Sequence, residues 1–274
     1  MNAPPPTVAS RESSQPVKRS LDDVTPLILT FNEAPNLART LSKLTWAKEI
    51  RVIDSYSTDE TVELARQFPQ VRVLQRQFDR HADQWNYGLA EVRTEWVLTL
   101  DADYLLSDEL VRELQEWKPE DGVVAYIARI RYCIWGEPLR ATLYPPRPVL
   151  FRPACCRYEQ DGHTQELAIH GRTGHLRGAI LHDDRKPVSF FLRAQDRYAR
   201  LEAAKLLDAG REQLGMQDRI RQQIVIAPFL VFFYTLLGKG LILDGWRGCY
   251  YVLQRTLAEI VLSLYLIEGK WQRR

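Results

Sequence analysis

The sequence predicts an α/β fold: a mostly parallel sheet flanked by helices, followed by a helical extension. Three observations carry this. Short apolar runs alternate with helical periodicities between residues 26 and 101. Several of those runs stop at polar or acidic residues, as strands do at the rim of an open sheet where ligands bind. Finally, composition changes near residue 185: Arg185–Arg274 holds 15 Lys/Arg against 8 Asp/Glu, whereas the first 184 residues hold 22 against 27.

Pro26-Leu-Ile-Leu-Thr30 reads as the first strand, with Pro35 at the first helical position after it and Leu37, Leu41 and Leu44 on one helix face. Ile50–Ile53 reads as the second strand, ending at Asp54; Ser57 and Glu60 have the spacing of a capping box, and Val62, Ala65 and Phe68 mark the next helix. Val71–Leu74 is the third strand. A helix over 81–92 follows, with Ala82, Trp85, Leu89 and Val92 inward. The fourth strand, Trp96-Val-Leu-Thr-Leu100, delivers Asp101 and Asp103. Strand–helix alternation at this spacing implies right-handed crossovers and parallel pairing. Two carboxylates at one strand end repel unless a cation sits between them, so Asp101-Ala-Asp103 suits a divalent ion carrying a diphosphate. An ordinary turn or helix cap is the competing reading.

Composition narrows the classes. The chain has 274 residues, 45% of them apolar, enough for one large or two modest domains. A net charge of +2 argues against a nucleic-acid partner. The four cysteines form no Cys-x-x-Cys pair, which speaks against structural zinc and for reduced thiols in the cytoplasm. Residues 1–23 are rich in Pro, Ser and charge with no apolar core, and read as a disordered tail. A dinucleotide glycine fingerprint and a P-loop are both missing.

Thr30-Phe-Asn-Glu-Ala34, Val52-Ile-Asp-Ser-Tyr-Ser-Thr-Asp-Glu-Thr61, Asn86-Tyr-Gly88 and Leu100-Asp-Ala-Asp103 stand in the order and spacing of family-2 glycosyltransferases with a GT-A fold, which this chain resembles over about 24–106. Trp46–Ile50, Gly162-His-Thr-Gln-Glu166, Gly178–His182 and Gly238–Gly245 resemble the bacterial branch that builds lipopolysaccharide cores. The resemblance implies a nucleotide-sugar donor, with UDP the default, and a Mg²⁺ or Mn²⁺ cofactor bound by Asp103. Asp101 would stand nearer the ribose or the metal's waters, and His182, after a strand at Ala179–Leu181, would be a further ligand. It sets Asp54 against the base, Thr30, Asn32 and Glu33 along base and ribose, Arg80 near the nucleotide, and Asn86 in support of the rim. Glu166 is the expected catalytic base for inversion, with Asp161 as the alternative and His163 orienting either. Here the chain departs from the pattern, because His and Glu commonly adjoin in related enzymes. The Gln-x-x-Arg-Trp motif of processive synthases is missing, which favours a single transfer.

The expected organisation is a catalytic domain over 24–185, split into a nucleotide half (24–106) and an acceptor half (107–185), and a helical extension over 186–274. A helix is expected over 188–209. The apolar stretch Ile224–Leu237 is only 14 residues long and contains Pro228, against about 20 for a spanning helix. Peripheral membrane contact through 222–267 fits better, with Trp246, Arg247, Tyr250 and Tyr251 at headgroup level. The expected acceptor is therefore a lipid-linked glycan at the inner face of the cytoplasmic membrane. The alternatives are a catalytically silent scaffold of envelope assembly and a polyprenyl-phosphate sugar transferase.

Overall fold

A computed structural model describes residues 20–161, 164–210, 212 and 214–273. The chain runs β1 (Val24–Thr30), α1 (Leu37–Ser42), β2 (Ile50–Asp54), α2 (Thr61–Arg66), β3 (Val71–Gln75), α3 (His81–Ala90), β4 (Trp96–Asp101), β5 (Tyr104–Leu106) and α4 (Asp108–Glu116). It continues with β6 (Val123–Ile134), β7 (Glu137–Pro138), β8 (Arg147–Phe151), β9 (Cys156–Asp161), β10 (Thr164–Ile169) and β11 (Arg172–His182). Four helices close it: α5 (Val188–Asp208), α6 (Met216–Arg221), α7 (Ile226–Phe233) and α8 (Gly245–Gln272).

The main sheet has the order β3-β2-β1-β4-β8-β6-β11-β5. Its first four strands are parallel, as the apolar runs predict. Beyond β4 the sheet is mixed: β8 is antiparallel to both β4 and β6, while β11 runs parallel to β6. The edge strand β3 is partly exposed, but β1, β2 and β4 are sealed on both faces, and Leu27, Ile28, Ile50, Ile53, Leu98 and Leu100 are fully buried. This is why they read as continuous apolar runs rather than alternating ones. One core packs under α1 and α4; the other packs under α3, where Ala82, Trp85 and Leu89 meet Phe151 and Tyr158.

Three local expectations are corrected. Pro35 lies in a turn, and α1 begins only at Leu37. Ser57 and Glu60 form no capping box: the Ser57 hydroxyl donates to Asp54 instead, and Glu60 makes no side-chain cap. The third helix stops at Ala90, two residues short of the expected end.

Two close approaches fix the acceptor half. A Cβ on Gly178 would stand 2.4 Å from the Leu110 Cα, so only glycine lets β11 pass beneath α4. Ser107 caps α4 by accepting from the Leu110 N–H at 3.1 Å, and it also accepts from the Ala179 N–H at 3.2 Å. The register irregularity of β11 between His175 and Ala179 falls at this crossing.

The C-terminal helices share a core with the sheet. Tyr251 and Val252 of α8 pack with Ile134, Leu139 and Leu241. A second cluster joins α5 and α8 through Ala203, Leu206, Leu262 and Leu266. Among the described residues no single helix is long and apolar enough to cross a membrane; Ile226–Gly238 and Leu241–Gln272, bent by 67°, meet the length and composition requirement only together.

Candidate active site

The carboxyl rim of β1, β2, β4 and β11 gathers most of the expected residues. Asp101 ends β4, and Asp103 follows one residue on. His182 ends β11, whose antiparallel pairing with β5 sets it opposite Tyr104. Its Nε2 lies 3.1 Å from the Asp103 carboxylate. Tyr104, Tyr132 and Tyr144 surround the imidazole with ring centroids at 5.1, 4.7 and 5.0 Å. This cage fixes the ring with Nε2 toward Asp103 and leaves Nδ1 buried without a partner.

The electrostatics follow from burial and proximity. Burial works against the charge on Asp103, but His182 and Lys186 outweigh it and hold its pKa down to about 2. His182 is shifted upward: burial opposes its charge, and Asp103 overcomes that. Burial, and then the charge of Asp103, raise Asp101. The rim therefore carries crowded negative charge, which is the condition that favours a cation.

A second layer, missed in the sequence, locks the rim from behind. Asp183 accepts from Arg39 at 2.7 Å, from Arg185 at 2.9 and 2.8 Å, and from the Gly136 N–H at 3.0 Å. The Asn36 amide donates to Asp184 at 2.9 Å and to Glu33 at 2.9 Å. Lys186 pairs with Glu33 at 2.5 Å. Burial, with Asp103 adding to it, pushes Glu33 up to about 7 against the pull of Lys186. Glu33 thus belongs to a clamp that joins the start of α1 to the segment after β11.

The expected base-end residues form a self-satisfied turn. Asp54 is fully buried and accepts from the Thr30 hydroxyl at 3.0 Å, the Ser57 N–H at 2.9 Å, the Ser57 hydroxyl at 2.5 Å and the Gln75 amide at 3.1 Å. Asn32 adopts a left-handed conformation (φ 55°), which asparagine tolerates. Its side-chain Oδ1 accepts from the Thr58 N–H at 2.8 Å, and its backbone N–H donates to the Ser57 hydroxyl at 2.9 Å. Phe31 and Tyr56, each about half exposed, stand on the same turns. Arg80, just before α3, pairs with Asp83 at 2.8 Å on the protein surface. Asn86 does not support the rim: its side chain clamps β9, donating to the Tyr158 carbonyl at 2.8 Å and accepting from the Tyr158 N–H at 3.0 Å.

The two candidate bases lie on the separate β9–β10 ribbon, where Glu166 is exposed directly opposite Glu159. Like charges so placed weaken a ladder. Asp161 pairs with Lys205 of α5 at 2.6 Å. His163 lies outside the described residues.

Among the described residues no group of three or more His, Cys, Asp or Glu side chains is placed to hold a metal. Asp103 and His182 are instead a pair, with Asp101 beside them. A pair fits Mg²⁺ or Mn²⁺, since such an ion keeps several waters and is completed by substrate phosphates.

A nucleotide-dependent transferase site is what this rim resembles, and the comparisons agree at family level. Residues 27–180 match the model of glycosyl transferase family 2, and the chain belongs to that family. Its sheet has the GT-A arrangement. The lipopolysaccharide core biosynthesis glycosyltransferase LpsC of Rhizobium meliloti is 25% identical over 241 residues, covering 81% of this chain and 83% of that protein. An uncharacterized glycosyltransferase of Rickettsia felis is 31% identical over 96 residues, a match covering 35% of this chain and 34% of that relative's length. The solved structure of S. aureus TarS 1-349 in complex with UDP is 15% identical, with 91% of each chain covered and a TM-score of 0.46.

Proposed function

We propose that this glycosyltransferase moves a sugar, with inversion, from a UDP-sugar to a lipid-linked glycan of the lipopolysaccharide-core type. The observation that carries the reading is the Asp103–His182 pair beside Asp101 at the strand ends. The similarity to LpsC, a lipopolysaccharide core biosynthesis glycosyltransferase matched along most of its length, supports the acceptor class. An ion held by Asp103 and His182 would neutralise charge on the departing diphosphate.

The remaining work falls to side chains. Thr30, Asn32 and Asp54 shape the base end, with Phe31 and Tyr56 offering apolar faces to the base. A uracil N3–H would displace the Gln75 amide, the longest of the four contacts to Asp54 at 3.1 Å. Lys186 adds positive charge beside Asp103. Glu166 takes the proton of the acceptor hydroxyl, and Asp161, engaged by Lys205, is the reserve candidate. The placement of Glu166 on the exposed ribbon favours one second reading, a polyprenyl-phosphate acceptor, whose phosphate needs no strong base.

The protein would work against the inner face of the cytoplasmic membrane. Phe229, Phe233, Leu237, Leu243 and Trp246 are all more than half exposed on α7, the turns after it and the start of α8. Lys239 and Arg247 lie over the Tyr234 and Trp246 rings at 5.5 and 5.2 Å, so positive charge borders the apolar patch. An anionic lipid surface complements that combination.

Titration with UDP and Mn²⁺, followed by a nucleotide-sugar turnover panel, tests the reading. Asp103→Asn should abolish transfer in a protein that still melts cooperatively. Full turnover by that variant overturns the metal role, and failure of the wild type to bind any nucleotide favours the silent scaffold.

A further inference from the structure

A cavity of about 230 Å³ opens between α5, α8 and the segment leading into β8. None of the nucleotide-rim residues Thr30–Glu33 or Asp54 lines it, but Tyr144 does, and the edge of that ring packs on His182. Two side chains, Tyr144 and His182, therefore separate the cavity from Asp103, on the side facing the C-terminal helices.

Its charges are unusual. Arg147 and Arg255 both line it and are half-buried. Neither forms an ion pair or a side-chain hydrogen bond with any described residue, and the Arg255 Nε is buried with no partner. Burying a guanidinium without a counter-charge is costly, so such groups are normally paired. Burial raises both Asp101 and Tyr144, and the two guanidinium groups oppose it, Arg147 at Asp101 and Arg255 at Tyr144. Arg221 of α6 also lines it and is already engaged, by Glu202 at 3.4 Å and Glu259 at 3.2 Å. The second carboxylate oxygen of Glu259 is buried and accepts nothing. The lining thus offers two cationic forks unpaired among the described residues and, one turn along α8 from Arg255, an unspent acceptor.

We infer that this cavity is the acceptor subsite and that it takes an acidic sugar unit, a pyranose bearing a carboxylate or a phosphate. The acid meets the Arg147 and Arg255 guanidinium groups, whose planar forks match either oxyanion in bidentate fashion. A ring hydroxyl donates to the free oxygen of Glu259. This rests on the transferase reading above and adds that the acceptor is recognised by a negative charge close to the hydroxyl that is glycosylated.

The test is direct binding to the full chain by calorimetry or saturation-transfer NMR, with glucuronate, glucose 6-phosphate and neutral glucose as probes. At least one acidic probe should bind tenfold or more tighter than glucose, and which of the two does so separates carboxylate from phosphate recognition. In Arg255→Gln that preference should fall below threefold, while Arg255→Lys should retain part of it. Acids binding no tighter than glucose in the wild type overturn the inference, whatever the variants do. So does an unchanged preference in a folded Arg255→Gln protein. A parallel UDP titration keeps the two ideas apart. UDP binding without an acid preference removes the subsite alone, and an acid preference without UDP binding removes the transferase reading.

Discussion

Asp183→Asn removes the charge on which the rear of the rim depends. Asp183 is 4% exposed and joins three parts of the chain: Arg39 of α1, the turn at Gly136 and Arg185. Asparagine keeps one carbonyl acceptor but turns an amide toward one guanidinium group. Breaking a buried ion pair costs about 3–5 kcal/mol. The Arg39 and Arg185 side chains are 30% and 33% exposed, so water recovers part of that cost. The expected loss is about 2–3 kcal/mol, or roughly 5–10 °C in Tm for a chain of this size. The pH dependence has a definite sign. Burial would raise the Asp183 pKa, but Arg185, the Gly136 N–H and Arg39 lower it below its ordinary value. A carboxylate with a depressed folded pKa contributes stability that is complete above the unfolded value of about 4 and is lost as pH falls through the folded value. Thermal melts at pH 7 should therefore separate wild type from variant most widely, and the gap should narrow as pH drops below about 4. A variant melting within about 1 °C of wild type at pH 7 refutes the clamp, and so does a gap that widens in acid.

Glu166→Gln should bind UDP as the wild type does and transfer about 10²–10⁴-fold more slowly to a hydroxyl acceptor. Undiminished transfer moves the base elsewhere or points to a phosphate acceptor. Gly178→Ala drives a methyl group into the α4 backbone, where its carbon would lie 2.4 Å from the Leu110 Cα, and should lose at least about 2 kcal/mol in denaturant melts. A neutral result would mean that β11 and α4 separate freely. Replacing Leu243 and Trp246 together by serine should weaken flotation with vesicles containing anionic lipid by tenfold or more while the Tm holds. Equal flotation removes the lipid-facing role of that surface.

What could be read from the sequence tracks how locally each element is determined. The strands β1 and β4 are apolar runs because both of their faces are covered, and turn residues mark their ends. Asp101, Asp103 and His182 were visible because each closes such a run. Ser57 misled: its spacing to Glu60 imitates a cap, while its true partner is Asp54 at the end of β2. Nothing in Asp183-Asp-Arg-Lys186 announces its partners Glu33, Asn36 and Arg39, because they lie nearly 150 residues away. Asn86 was picked out, but its role was not, since the strand it clamps lies 72 residues on. The β9–β10 ribbon has too few apolar positions to announce itself. Arg147 and Arg255 are unremarkable in sequence and informative only because no described residue forms an ion pair with them.

Tyr251 sits fully buried in α8, with its ring 4.7 Å from that of Tyr132, which in turn lies 4.7 Å from the His182 imidazole. Its hydroxyl also accepts from the Leu143 N–H at 3.0 Å, beside Tyr144. The final helix is consequently a wall of the reaction chamber and no removable anchor. Shortening the chain after residue 186 to gain an easily handled fragment would strip the packing from two of the three rings that steer His182, and the fragment would report on a different molecule.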